Sequence, residues 1–531
     1  MADEAELAAN LIRRVNVGDT LTRTAWRLPS REAVVDGPRR LTYRELNEAV
    51  NRLANALTGH GYRRGDALVL ASGNSLEFLL TYYACAKTGV ICVPLNLAWG
   101  PAEVAYVLDH SRARGVVVES QLVALATAAL ERVTGVSDVV VAGGTGAGWR
   151  AAPGRRWLTM EQLTDGATAV EPACYVEDRD PVTYLYTSGT TAAPKGVVSS
   201  HLAVFIESLS VPLQVHLGPA DRSLVMMPLF HTAQLNGFAT GLVYLGATLV
   251  LQRGFDPAAV LATVEAERIT QIFGLPIMYR ALMDHPDMGR RDLSSLRLAL
   301  YAMAPMPETD LRRALELFRC DFALGFGQTE MNPVTTVFLP EHQLSHPGSV
   351  GTPVPSVQVT VMGDDGALLP TGRSGEIVYR GPHAMEGYLR DPAATAAAFD
   401  GGWFHSGDVG RFDADGLLWF EDRKKDLIKS GGENVASIEV EKALYEAEPG
   451  IQEVAVVGLP HERWSEAVTA VVVAKPGVTL TEEDVMRAAA SRLPGFKRPK
   501  RVLMVDTMPH TATGKIQKQA LRAAHRDLYR S

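Results

Sequence analysis

The stretch "YTSGTTAAPKGVVSSH", Tyr186 to His201, sets four hydroxyls (Thr187, Ser188, Thr190 and Thr191) around Gly189 and follows them with one cation, Lys195. Glycine lets a loop turn several backbone N–H groups toward one anion, and a lysine adds a mobile positive charge. Phosphate binding is the chemistry these residue types suit. A surface loop rich in turn formers has the same composition, and the stretch alone does not separate the two readings. The Walker pattern G-x-x-x-x-G-K-[ST] is not met, because the glycine ahead of the lysine is missing and Gly196 stands where Ser or Thr is required. A P-loop kinase or ATPase is therefore disfavoured. Three further stretches carry reactive types: "GFGQTE" (Gly325 to Glu330), "HSGDVG" through "DRKKDLIKSGGENV" (His405 to Val435), and "TATGKIQKQALR" (Thr511 to Arg522). Taken singly, each reads as easily as a strand end, a turn or a surface loop.

The totals set limits. At 531 residues the chain exceeds what one core serves, so two or more domains are expected. Its 47% hydrophobic and 21% charged content is that of an ordinary globular protein. A net charge of −8 argues against a dedicated nucleic-acid binder. Arg492 to Arg530 nevertheless holds ten Lys or Arg against two Asp or Glu, so this end suits either an anionic ligand or plain solvent. Four scattered cysteines (Cys85, Cys92, Cys174, Cys320) without metal-ligand spacing read as buried, reduced thiols of a cytoplasmic protein. The acidic start "MADEAELAANLIRR" has no apolar core of a signal peptide, and the apolar stretch "TGLVYLGATLVL" is too short to span a bilayer.

These motifs need elements to hold them. "DALVLAS" and "VICVPLN" read as buried strands with a helix, "SLEFLLTYYACAKTG", between them. The alternation recurs through "RSLVMMPL", "ATLVLQ", "TQIFGLP", "LRLALYA" and "FALGFGQTE", which predicts α/β architecture with parallel strands flanked by helices. Ligands in such folds bind at the carboxyl ends of strands. The hydroxyl-rich loop is expected there, with "PVTYLYT" as its strand and "SSHLAVFIESLS" as the helix after it. From Val350 the alternation and Asp-Gly turns predict an antiparallel, barrel-like β-section. Residues 1–422 are read as a large N-terminal domain, 423–428 as a hinge, and 429–531 as a small mobile α+β domain.

Together, in this order, the four stretches resemble the adenylate-forming superfamily of acyl-CoA synthetases, peptide-synthetase adenylation domains and luciferase-like enzymes. The resemblance covers nearly the whole chain. It implies that a carboxylate attacks the α-phosphate of ATP, releases pyrophosphate and leaves an acyl-adenylate. Thr187, Ser188, Gly189, Thr190, Thr191 and Lys195 match the cradle of the β- and γ-phosphates, with Ala192 standing where the family usually has glycine. In "GFGQTE", Phe326 beside Gly327 matches the adenine-stacking aromatic, usually a tyrosine. Thr329 matches the α-phosphate contact and Glu330 the Mg²⁺ ligand. Asp408 matches the carboxylate on the ribose hydroxyls, and Arg423 a second ribose contact. Lys515 matches the lysine that bridges acid and α-phosphate.

The resemblance also implies a small domain that rotates about Lys425. Its second pose would bring Gly431 and Gly432 to a pantetheine tunnel, and "FKRPKR" (Phe496 to Arg501) to the phosphates of coenzyme A. A solvated basic surface is the equal reading for that cluster. No carrier-domain motif follows Lys515, which favours coenzyme A as acceptor; transfer to a carrier protein or another acceptor is the alternative. A nucleotide-binding regulator without turnover is a third reading, disfavoured by the intact Thr329, Glu330, Asp408 and Lys515 set. His231 in "PLFHTAQLNGF" matches an aromatic position between acid pocket and tunnel. Met303, at a usual glycine in "YAMAPM", either narrows the pocket toward short, medium or compact aryl acids or packs elsewhere in the core. The implied partners are a small carboxylic acid, ATP with Mg²⁺, and coenzyme A; homodimerisation stays open.

Overall fold

The computed structural model describes residues 3–144, 154–187, 194–303, 306–510 and 516–529. They form two compact units: Met1–Val359 with Tyr379–Phe404, and Thr360–Val378 with His405–Ser531.

The first unit carries two large sheets. One has eight strands, in the order Gly387–Tyr388, Lys195–Ser200, Pro181–Thr187, Ile91–Pro94, Ala67–Ala71, Ala113–Glu119, Asp138–Ala142 and Arg156–Thr159. From Pro181–Thr187 onward its neighbours are parallel. Its central strand, "ALVLA", is buried throughout, as an apolar run covered on both faces should be. The other sheet has nine strands, with Leu298–Ala302 and Asp321–Gly327 paired in parallel near one end. Asn74, just past Ala67–Ala71, joins the two sheets. Its Nδ2 donates to the carbonyls of Val225, Met227 and Gln252, at 3.1, 2.9 and 3.0 Å, and its Oδ1 accepts from Leu229 N–H at 2.8 Å. This fixes the chain that runs from the strand Arg222–Val225 toward His231.

The sequence reading needs one correction. The hydroxyl-rich loop does not lead from a strand into a helix. "KGVVSS" is itself a strand, Lys195–Ser200, antiparallel to Pro181–Thr187, and the helix His201–Gln214 starts only after it. Two β-branched valines and close antiparallel pairing outweigh the glycine and the turn-forming serines. Ser200 then caps the helix, its Oγ accepting from Ala203 N–H at 3.3 Å.

The strands Gln358–Met362, Gly375–Arg380, Phe404–Phe412 and Leu418–Arg423 form one sheet, most of whose residues fall in the second unit. The last two make an antiparallel hairpin. A five-stranded sheet follows, built on the long hairpin Ile451–His461 and Ser465–Ala474. The helices Ser437–Ala447 and Glu482–Arg492 pack on it through Val440, Leu444, Val485 and Ala489. All four cysteines are free thiols; Cys85 and Cys92 are buried, while Cys174 and Cys320 are only half-buried. Among the described residues no helix is long and apolar enough to cross a membrane.

His201 opens its helix fully buried, and its Nδ1 accepts from Val17 N–H at 3.1 Å. Burial pushes its pKa from 6.5 down to about 3, so the fold requires the neutral ring. The unfolded chain binds the extra proton between these values, so stability is lost as pH falls below about 6.5. This residue should remove about 2 kcal/mol between pH 7.5 and pH 5. His201→Asn, which keeps an acceptor for Val17, should flatten that dependence in urea unfolding; an unchanged slope would count against the assignment.

Candidate active site

The antiparallel register pairs Thr187 with Lys195, so the two ends of the hydroxyl-rich loop are pinned together at its base. Ser188, Gly189, Thr190 and Thr191, with Ala192, lie outside the described residues. The half-buried Lys195 places its Nζ 4.7 Å over the ring of Tyr388. The Tyr388 hydroxyl donates to Glu330 Oε1 at 2.9 Å. One tyrosine thus touches both the loop's cation and the carboxylate of "GFGQTE".

Tyr388 is held by its own backbone. Gly387–Tyr388 pairs antiparallel with Val198 and Val197, and Glu386 and Leu389 N–H donate to the carbonyls of Val198 and Gly196, both at 2.8 Å. Met385 N–H donates to the Glu330 carbonyl at 2.7 Å. Residues 385–389 are therefore a strap that stitches the Lys195 strand to the Glu330 turn. Sequence reasoning missed Tyr388. The signal was an aromatic in "MEGYLRDP", which says nothing until the strap is paired.

"GFGQTE" ends a strand and makes a sharp exit. The pairing with Val334–Phe338 is irregular between Phe326 and Gly327. Gly327 has φ +155°, and a Cβ there would sit 1.9 Å from the Pro333 carbonyl oxygen, so glycine is obligatory. Thr329–Met331 form a single tight turn, with Thr329 and Glu330 half-buried on it and Phe326 half-buried before it. Behind the turn lies a fully buried pair, His383 Nδ1 and Glu207 Oε2 at 3.0 Å. Glu207 Oε1 also accepts from Val334 N–H at 3.0 Å, and Asn332 Nδ2 donates to the His383 carbonyl at 2.8 Å. Burial pushes the Glu207 carboxyl above its usual range, against the lowering pull of His383.

His231 caps the short helical turn Thr232–Gln234, its Nδ1 accepting from Ala233 N–H at 3.2 Å. The helix then widens into a π-turn, Leu235–Ala239, a distortion frequent at functional sites. Met303 follows the strand Leu298–Ala302 with φ +70°, left-handed backbone that costs a side-chain-bearing residue roughly 1–2 kcal/mol. This is the conformation glycine adopts freely, at the position where the family usually has glycine.

In the second unit, Asp408 and Arg423 face each other across the hairpin Phe404–Phe412 and Leu418–Arg423. Arg423 Nε lies 3.0 Å from Asp408 Oδ1, and the Asp408 side chain is almost wholly buried. Lys425 is exposed in the turn beyond, which Asp426 N–H closes by donating to the Arg423 carbonyl at 2.8 Å. Asp422 Oδ2 accepts from the Ser437 Oγ at 2.7 Å, and Asp426 pairs with Arg522 at 2.8 Å. Gly431 and Gly432 form an exposed turn with φ +63° and +90°; a Cβ on Gly431 would press on the Trp464 ring at 3.0 Å. Arg463 and Lys500 lie 4.6 and 5.1 Å over that ring. In "FKRPKR", Lys497 pairs with Glu439 at 2.6 Å and Arg501 with Glu482 at 3.1 Å, so part of the cluster's charge is already matched. Lys515 lies outside the described residues. Its flanks are anchored by a His510–Ile516 bridge, by His510 to Glu453 at 2.9 Å, and by Lys518 to Glu441 at 2.7 Å.

Two strand-rich units, with a hydroxyl-rich hairpin loop and a carboxylate turn strapped together, define an adenylate-forming enzyme. The model "AMP-binding enzyme" matches residues 21–389, and "AMP-binding enzyme C-terminal domain" matches residues 439–515. The chain belongs to this AMP-binding family, and ATP and coenzyme A are substrates of its AMP-forming CoA ligases. It is similar to a feruloyl-CoA synthase of Amycolatopsis sp, 37% identical over 96% of this chain and 99% of that one. It is also similar to an indoleacetate–CoA ligase of Aromatoleum aromaticum, 35% identical over 96% of this chain and 98% of that one. Among solved structures, an anthranilate CoA ligase in complex with anthranoyl-AMP superimposes with a TM-score of 0.87 at 28% identity, covering 96% of this chain and 97% of that one.

Tyr388→Phe keeps the ring beneath Lys195 and removes the bond to Glu330. It should weaken ATP binding about tenfold, the worth of a hydrogen bond to a charged group, and leave AMP binding unchanged. Calorimetric titration with both nucleotides checks this.

Proposed function

We propose that the protein is an ATP-dependent acyl-CoA synthetase whose acid is short, medium or compact and aryl in preference to a long alkyl chain. The observation that carries the reading is the convergence of Lys195 and Glu330 on Tyr388. A cation for a polyanion and a hard oxygen ligand are thereby fixed side by side, as positioning and electrostatic catalysis requires. The names of the relatives support the aryl preference, since feruloyl, indoleacetyl and anthraniloyl groups are all aromatic.

In the first half-reaction a carboxylate oxygen forms a bond to the α-phosphorus, and the bond from that phosphorus to the bridging oxygen breaks, releasing pyrophosphate. Lys195, Thr187 and the loop residues Ser188, Gly189, Thr190 and Thr191 hold the β- and γ-phosphates. Phe326 stacks on adenine, Thr329 holds the α-phosphate, and Asp408 with Arg423 takes the ribose. Lys515 carries its charge to the carboxylate and the α-phosphate together. Mg²⁺ suits the hard oxygens of Glu330 and the phosphates, and when bound supplies neutralisation of phosphate charge. Among the described residues no group of three or more acidic, His or Cys side chains is placed to hold a metal ion.

In the second half-reaction the coenzyme A sulfur bonds to the acyl carbon, the carbon–oxygen bond to AMP breaks, and the thiol proton leaves to solvent. The small domain, residues 429–531, turns about Lys425 between the steps. This replaces Lys515 with the Gly431–Gly432 turn, which takes the narrow pantetheine arm, while "FKRPKR" meets the phosphates. The free cysteines suit a reducing, cytoplasmic setting.

A panel of carboxylic acids, with AMP and CoA thioester read by mass spectrometry, tests the reading. Lys515→Ala should abolish acid-dependent pyrophosphate exchange and spare thioester formation from a supplied acyl-adenylate. Exchange at a near-normal rate would remove Lys515 from its role.

A further inference from the structure

Gln234 is buried to 1% exposure, and neither its Nε2 nor its Oε1 has a hydrogen-bond partner. Asn236, fully buried two residues on, is half-served. Its Nδ2 donates to Thr232 Oγ1 at 3.2 Å and reaches Asn332 Oδ1 at 3.4 Å, but its Oδ1 has no partner. Three polar atoms of one short segment are thus taken out of water with nothing in return. Each unmet buried group costs roughly 1–3 kcal/mol, so such atoms in a native fold call for water or a ligand.

Their place in the fold favours a ligand. Both amides follow His231 directly, and Asn236 sits on the π-turn Leu235–Ala239 among the buried apolar residues Leu235, Phe238 and Ala239. Through Asn332, Asn236 touches the residue that immediately follows the turn Thr329–Met331. The unmet amides therefore lie between the residue read as the pocket mouth and the turn read as the α-phosphate contact. An apolar acid would leave both amides unpaired in a dry site. An acid bearing a hydroxyl, an amino N–H or a carbonyl would meet them.

We propose that Gln234 and Asn236 are acid-specificity residues, and that the acid carries a hydrogen-bonding substituent in addition to its carboxylate. The inference rests on the acyl-CoA synthetase reading and adds the substituent to it. A site built to hydrogen-bond a substrate group discriminates strongly against the analogue that lacks it, because its own polar atoms are then stranded.

The test uses matched acids that differ in one group: cinnamate against 4-hydroxycinnamate, benzoate against 2-aminobenzoate, and 3-phenylpropanoate against its 4-acetyl derivative. The wild-type protein should favour the polar member of at least one pair by tenfold or more in kcat/KM. Gln234→Met, similar in volume and without donors or acceptors, should bring that ratio to about one by losing the polar acid and gaining the plain one, with KM for ATP unchanged. Gln234→Ala serves as the second variant if the methionine is not tolerated. Preference for the plain acid in every pair, or a ratio untouched in the variants, overturns the inference and leaves the synthetase reading standing. No AMP from any acid overturns both.

Discussion

The pairing of Thr187 with Lys195 is the constraint on which the site depends. Antiparallel pairing holds the two ends of the hydroxyl-rich stretch at a fixed distance. The strap 385–389 extends the same logic by one strand. It adds Gly387–Tyr388 to the edge at Val197 and Val198, and from that edge its tyrosine reaches Glu330 while its Met385 amide holds the Glu330 carbonyl. Cation and carboxylate come from segments far apart in sequence, yet main-chain hydrogen bonds hold the backbones that carry them.

Behind this front face the protein accepts costs. Glu207 and His383 are wholly removed from water, an arrangement tolerable only because each is hydrogen-bonded, one also to Val334 N–H and the other's carbonyl to Asn332. Met303 keeps a left-handed backbone that glycine would adopt without strain. Gln234 keeps an amide with nothing to bond. Such costs are not confined to this region, since buried polar atoms of the sheets, Thr183 Oγ1 and Gln271 Nε2 among them, also lack partners.

Much of the architecture was legible in the sequence. Buried parallel strands announce themselves as unbroken apolar runs, as Ala67–Ala71 and Leu298–Ala302 do, and Asp256 marks the start of the helix Pro257–Glu267 by capping it. The strand Lys195–Ser200 was hidden because its partner, not its composition, makes it a strand. The motif residues are read from their order along the chain, yet that order gives no geometry: it does not reveal that Asp408 and Arg423 pair across a hairpin, or that Lys195 and Glu330 share Tyr388. Tyr388, Glu207 and His383 belong to no local pattern. Their meaning arises only when segments more than a hundred residues apart close on one another, and a period of two or 3.6 carries no trace of that.

The central claim is that this strapped site joins a carboxylate to the α-phosphorus of ATP. Oxygen-18 in the carboxylate of a turned-over acid follows that bond directly, because the oxygen that attacks phosphorus stays on it when the thioester forms. One labelled oxygen in AMP, with none in pyrophosphate, is the predicted result. Label in orthophosphate with release of ADP would mean that attack falls on the terminal phosphate, and would contradict the account.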